Sequence, residues 1–161
     1  MIRLTVADIM VRTEATLFPD MDIYRALKHL LKSQVSGAPV VARNGVLLGM
    51  LTERDCLKVL IGGALDSLPP GTVSDYMSAP AESIGPAASF YDVVHIFLTR
   101  AYRKLPVVDD DGHVIGQVSR RDALAVLESF RDDPRLYGTE DERPPDGPGV
   151  DSAMKIARRQ R

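Results

Sequence analysis

Cysteine is nearly absent. Cys56 is the only one in 161 residues, so no disulfide can close within the chain and a reducing compartment is expected. Its neighbours Leu57, Leu60 and Ile61 suit a small buried hydrophobe better than a reactive thiol. No apolar run nears the roughly 18 residues that span a bilayer. The start, Met1-Ile2-Arg3-Leu4-Thr5-Val6-Ala7-Asp8, has no charged segment leading into a long apolar one, so secretion is not signalled. A cytoplasmic chain with no membrane role is the expectation. Surplus positive charge is missing too: the net charge is −2 and the pI about 5.9, which argues against a general affinity for nucleic acid. There is no glycine-rich phosphate loop or dinucleotide fingerprint. His29, His95 and His113 lack ligand spacing with cysteine or carboxylates and are expected exposed or half-buried. Asp109-Asp110-Asp111 lacks the further ligands of a calcium loop and reads as the polar tip of a hairpin. With no nucleophile, base and orienter set, an enzyme is not expected, and neither a catalytic cofactor nor a metal is called for.

What is present is internal repetition. Val6-Ala7-Asp8-Ile9-Met10 returns as Val73-Ser74-Asp75-Tyr76-Met77, 67 positions on (6 to 73). The register then holds without a gap: Pro19 with Pro86, Tyr24 with Tyr91, Pro39-Val40-Val41 with Pro106-Val107-Val108, Gly45 and Gly49 with Gly112 and Gly116, Arg54-Asp55 with Arg121-Asp122. Each copy reads as strand, helix, strand, strand, helix. Ala15–Phe18 and Glu82–Gly85 are the opening extended stretches. Ile23, Ala26, Leu27, Leu30 and Leu31 recur at helical spacing, as do Phe90, Val93, Val94, Phe97 and Leu98. Asn44-Gly45 and Asp111-Gly112 are hairpin turns, the former matching a type I′ turn with both central residues at positive φ. Second helices are expected near 53–62 and 120–130. A unit of this size buries too little surface to stand comfortably alone, so one cooperative α/β (α+β) body with pseudo-twofold symmetry is expected from two β-α-β-β-α repeats.

The expected organisation is repeat one at 1–62, a linker at 63–72, repeat two at 73–130, and 131–161 as an acidic connector with a basic tail. The proline-rich, acidic stretch from Asp132 reads as solvated and poorly structured. The tail Ser152–Arg161 is either disordered or a short docking helix.

Each hairpin leads into one further pattern: Gly49-Met50-Leu51-Thr52-Glu53-Arg54-Asp55 and Gly116-Gln117-Val118-Ser119-Arg120-Arg121-Asp122. Ser/Thr-x-x-Asp opening an apolar helix is also the plain capping-box pattern. Taken with the repeat order and with Ser36-Gly37-Ala38-Pro39-Val40-Val41 before the hairpin, the pair resembles CBS (cystathionine β-synthase) domains, which occur in tandem as Bateman modules. The resemblance covers about 6–127. It implies an adenosine ligand (AMP, ADP, ATP or S-adenosylmethionine) held between repeats, with a carboxylate accepting from both ribose hydroxyls. In one cleft it implies Asp122 and Ser119 with Thr16, Val35, Ser36, Gly37 and Ala38, and Arg103 and Lys104 toward the phosphate. In a second it implies Asp55 and Thr52 with Ser83 and bulky Tyr102. Arg54, Arg120 and Arg121 are either phosphate contacts or solvated first-turn residues. The Asp122 cleft is expected to be the better site. The implied role is a regulatory sensor, homodimeric, acting on an unidentified protein. The alternative is a scaffold that binds no nucleotide and docks a partner through its surface or tail. Nucleic-acid binding through Lys155 to Arg161 is a lesser third reading.

Overall fold

The computed structural model describes residues 4–13, 15–61 and 69–131. Most of the expected linker, and the connector and tail from 132 onward, lie outside the described residues. The elements run α1 (Val6–Ile9), α2 (Ile23–Ser33), β1 (Gly37–Val41), β2 (Leu47–Thr52), α3 (Glu53–Ile61), α4 (Val73–Tyr76), α5 (Phe90–Thr99), β3 (Lys104–Val108), β4 (Val114–Ser119) and α6 (Arg120–Arg131). The 67-residue register therefore reappears as two copies of helix, helix, hairpin, helix, an α+β arrangement. β1 pairs antiparallel with β2, and β3 with β4, in separate two-stranded sheets.

Three local expectations are corrected. The opening stretches are single parallel bridges, Leu17 to Val40 and Ile84 to Val107, rather than strands. Each copy instead opens on a one-turn helix, α1 or α4, whose signal was a capping box at Thr5/Asp8 and Thr72/Asp75. The hairpin turns are not type I′. Gly45 and Gly112 have positive φ, but Asn44 does not. The Gly45 N–H donates to the Ala42 carbonyl (2.9 Å), and Gly112 donates likewise to Asp109 (3.0 Å), so each glycine follows a turn rather than forming its centre.

The chain divides into two compact units, residues 1–11, 86–105 and 118–161 in the first, and 12–85 and 106–117 in the second. Each unit draws on both repeats. In the first, the Val6 N–H donates to the Ala88 carbonyl (2.8 Å), Ala7 to Pro86 (2.9 Å), and Phe90 to Leu4 (2.9 Å). In the second, the equivalent bonds are Val73 to Met21 (2.9 Å), Ser74 to Pro19 (2.9 Å) and Ile23 to Gly71 (3.0 Å). The opening helix of each repeat thus clasps the other repeat just where its long helix begins. These bonds satisfy backbone donors at helix starts that would otherwise be orphaned.

The second unit's core gathers Leu17, Ile23, Ala26 and Leu30 under α2, Val40 and Leu51 from the hairpin, Cys56 and Val59 from α3, and Val73 from α4. Cys56 is buried there, and burial, followed by the charges of Asp55 and Glu53, pushes its thiol above the ordinary range. That suits an inert core residue. In the first unit Val6, Phe90, Val93, Phe97, Val118, Ala123 and Val126 are buried. The apolar helix stripes are narrower than the spacing suggested, because Leu31 and Leu98 are 66% and 81% exposed. Gly49 is fixed by close approach: a Cβ there would lie 2.7 Å from the Ser78 carbonyl oxygen, which is itself bonded to the Met50 N–H.

Candidate functional site

Asp55 and Asp122 stand in the first turns of α3 and α6, three residues after a hydroxyl that closes the preceding strand. In the second unit, Asp55 Oδ2 accepts from the Thr52 N–H (3.0 Å) and Oγ1 (2.8 Å). In the first, Asp122 Oδ2 accepts from the Ser119 N–H (2.7 Å) and Oγ (2.6 Å). The hydroxyls accept in return from the backbone N–H of each aspartate, at 3.2 Å. The capping-box reading is therefore fulfilled at both positions.

Capping alone does not account for where these carboxylates sit. Asp8, Asp75 and Asp92 make the same Oδ2 bonds to their own Thr or Ser, and Asp75 and Asp92 are exposed while Asp8 is half-buried. Asp55 and Asp122 are only 4% and 6% exposed. A carboxylate withdrawn from water is costly unless its lone pairs are met. An exposed cap would do the same work for the helix without that penalty.

Asp55 has two further side-chain partners. Asp55 Oδ1 accepts from Lys58 Nζ at 2.6 Å and from Ser78 Oγ at 3.3 Å. Burial pushes the Asp55 carboxyl up, but the hydrogen bonds from Lys58 and Thr52 and the Lys58 charge outweigh it and hold it below the ordinary range. Neither Lys58 nor Ser78 was foreseen, although Lys58 lies three residues on from Asp55, one helical turn away. The position matching Lys58 in the second repeat is Ala125.

The surroundings of the two helix starts also differ in charge. At α6 the Arg120 N–H donates to the Arg103 carbonyl (3.0 Å) and its guanidinium to the Arg100 carbonyl (3.3 Å). Arg100, Arg103, Arg120 and Arg121 are exposed, and Lys104 is half-buried. The matching positions at α3 are Ser33, Ser36, Glu53, Arg54 and Gly37, which carry one charge of each sign. Five positive side chains therefore belong to the α6 end and none in excess to the α3 end. A helix N-terminus already favours anions, and this surplus strengthens that preference.

The remaining expected residues are placed as follows. Asp122, Ser119, Arg103, Lys104, Arg120, Arg121 and Tyr102 fall in the first unit. Thr16, Val35, Ser36, Gly37, Ala38, Thr52, Arg54, Asp55 and Ser83 fall in the second. Thr16, Arg54 and Tyr102 are exposed, Val35, Ser36 and Ser83 half-buried, Gly37 and Ala38 buried. The Ser36 carbonyl accepts from the Glu53 N–H (2.9 Å), so the stretch before the hairpin is tied to the head of α3 just as Arg103 is tied to the head of α6. At the second hairpin turn, Asp109, Asp111 and His113 bring one ligand-type atom each to within 4.8 Å of one another, a grouping that spacing did not suggest. Asp109 Oδ1 there accepts from the N–H groups of Asp111 (3.0 Å) and His113 (2.8 Å), the bonds by which an aspartate shapes a turn.

The CBS domain family matches at residues 6–62 and 73–129. The chain is 34% identical over 122 residues to the CBS domain-containing protein YhcV of Bacillus subtilis (strain 168), covering 76% of this chain and 84% of that one. It spans only 43% and 22% of two further curated relatives. Among solved structures it is similar to CBSX2 of Arabidopsis thaliana in complex with AMP, at TM-score 0.70 and 25% identity, over 80% of this chain and 98% of that one. The CBS domain pair of protein MJ0100, in complex with 5-methylthioadenosine and S-adenosyl-L-methionine, shares the fold at TM-score 0.69 and 23% identity, over 80% and 99%.

Proposed function

The chain belongs to the CBS domain family as a tandem pair, and on that premise we propose that it is a non-catalytic regulatory module binding an adenosine ligand at the head of α6. The observation that carries this reading is the buried Asp122 carboxylate within a helix start flanked by five basic residues. The carboxylate grips the ribose hydroxyls, and Arg103, Lys104, Arg120 and Arg121 with the helix dipole meet the phosphate. That charge favours AMP, ADP or ATP over S-adenosylmethionine, whose sulfonium is a cation. AMP in the CBSX2 structure accords with this choice. Ligand binding shifts the population of module geometries, and its effect on a regulated protein is bounded by the ligand's differential affinity for them.

Thermal denaturation with AMP, ADP, ATP, S-adenosylmethionine and NADH tests the reading. The three nucleotides are expected to raise the melting temperature, with S-adenosylmethionine giving the smaller response. A flat response to all five would reject the sensor and leave the scaffold.

The same proposal includes a homodimer. Leu57 and Leu60 on α3 are 60% and 53% exposed, and their counterparts Leu124 and Leu127 on α6 are 64% and 53% exposed. Exposed leucines at matched positions of both repeats, with Ile61 on α3, leave an apolar helix surface on each unit that a second copy would cover. Leu57→Glu combined with Leu124→Glu is expected to turn a dimer into a monomer in sedimentation, with unchanged circular dichroism. A wild-type protein that sediments as a monomer at micromolar concentration would remove the dimer from the proposal.

A further inference from the structure

At the head of α6 the first unit carries an arginine face. The Arg120 N–H donates to the Arg103 carbonyl (3.0 Å) and the Arg120 guanidinium to the Arg100 carbonyl (3.3 Å). The end of α5, the residue before β3 and the start of α6 therefore meet there, with Arg121 one residue on. All four arginines are exposed, and among the described residues none of them joins an ion pair. Guanidinium groups gathered in this way repel one another and favour oxyanions, which they take by paired hydrogen bonds. The chain carries such groups a short way beyond. Glu140, Asp141 and Glu142 are consecutive, and Glu140 stands nine positions on from Arg131, the last residue of α6. The 12 residues of α6 measure about 18 Å from end to end. Nine residues of chain span at most roughly 30 Å, enough to return the three acids to the head of the helix. This segment lies beyond the described residues, and its charge and its length from α6 are what fit it to the face.

We propose that this arginine face docks the chain's own Glu140-Asp141-Glu142 segment, which competes there with the nucleotide phosphate and lowers the affinity for it. The docking stands on the charges alone, whereas the competition rests on the reading that Arg103, Arg120 and Arg121 meet phosphate. A single exposed ion pair is weak and screened by salt. A segment tethered this closely has a high effective concentration at the face, so several weak pairs suffice together. Segment and phosphate need the same guanidinium groups and exclude each other. Apparent nucleotide affinity then falls in proportion to the fraction of chains whose face is open.

A nitroxide label on Thr139→Cys in the full chain tests the docking, Cys56 being buried away from the reagent. At low salt it is expected to broaden the amide signals of Arg100, Arg103, Arg120 and Arg121 more than those of residues 90–93 at the far end of α5. The triple variant Glu140→Gln, Asp141→Asn, Glu142→Gln is expected to remove that difference, and so is saturating AMP. By calorimetry at low salt the unlabelled triple variant is expected to bind AMP roughly threefold to tenfold tighter than wild type. Asp20→Asn with Asp110→Asn and Asp111→Asn changes the net charge by as much at exposed residues of the second unit, and is expected to stay close to wild type. Uniform broadening overturns the docking, as does a difference that survives the triple variant. Broadening seen only between a spin-labelled chain and a separate isotope-enriched chain gives the face to a second copy and overturns the docking within one chain. Equal gains in the two triple variants overturn the competition, as does broadening that persists once AMP has raised the melting temperature. If AMP binds nowhere while the label behaves as expected, the competition falls with the functional reading and the docking stands.

Discussion

Asp122→Ala is expected to abolish the nucleotide-induced rise in melting temperature while leaving a folded protein. A ligand at 100 times its dissociation constant stabilises the native state by about 2.7 kcal/mol. For a chain of this size that corresponds to a rise of roughly 5–10 °C. Removing the carboxylate also uncaps α6, since Asp122 Oδ2 takes both the Ser119 N–H and its hydroxyl. Loss of a cap costs about 1 kcal/mol on its own account. The informative quantity is therefore the difference with and without nucleotide, not the starting temperature. Asp92 supplies the control, because it caps α5 with the same geometry, 2.9 Å and 2.7 Å to Ser89, on an exposed surface. Asp92→Ala should lower the starting temperature by a similar amount and keep the whole nucleotide response. A response surviving in Asp122→Ala would mean that the carboxylate does nothing beyond closing its helix.

Leu51→Ala is expected to be among the most damaging single truncations in the second unit. Leu51 is fully buried in β2, opposite Ala38 across the hairpin and one residue before the Thr52 cap. Emptying such a position costs about 2–5 kcal/mol, the lost burial plus the cavity left behind. Domains are stable by only roughly 5–15 kcal/mol, so a large share of the margin goes with it. Leu48→Ala, on the same strand but 37% exposed, is expected to cost about 1 kcal/mol or less. Urea denaturation of the pair checks this, with a clearly lower midpoint for Leu51→Ala and little change for Leu48→Ala. Equal midpoints would contradict the burial that distinguishes them.

Much of the fold was legible because it repeats. The constant register from Val6 to Asp122 separates two copies of a unit on residue order alone, and the periodicity of Ile23, Ala26 and Leu30 or Phe90, Val93 and Phe97 places the long helices. The errors have local physical causes. Asn44-Gly45 has the composition of a type I′ turn, but only the glycine takes positive φ, since a longer turn satisfies the same dipeptide. Leu31 and Leu98 fit the helical stripe by spacing, yet a stripe does not tell how wide a face the neighbouring element covers. The one-turn helices were hidden by their length, four residues being too few for a period, although their Thr-x-x-Asp caps were in plain view. At the site, the two carboxylates and their hydroxyls were readable from the repeat. The Lys58 bond was not, because an i to i+3 pair on a helix surface is ordinarily a solvated one, and only burial of its acid gives it weight.

The exchange of opening helices decides how this protein can be divided. A cut in the 62–72 region would leave the N-terminal half holding a clasp with no lock, and the C-terminal half likewise. Each half also carries a lock of its own, however, equivalent by register to the one it would lose. A solitary half could make itself whole only by trading arms with its twin.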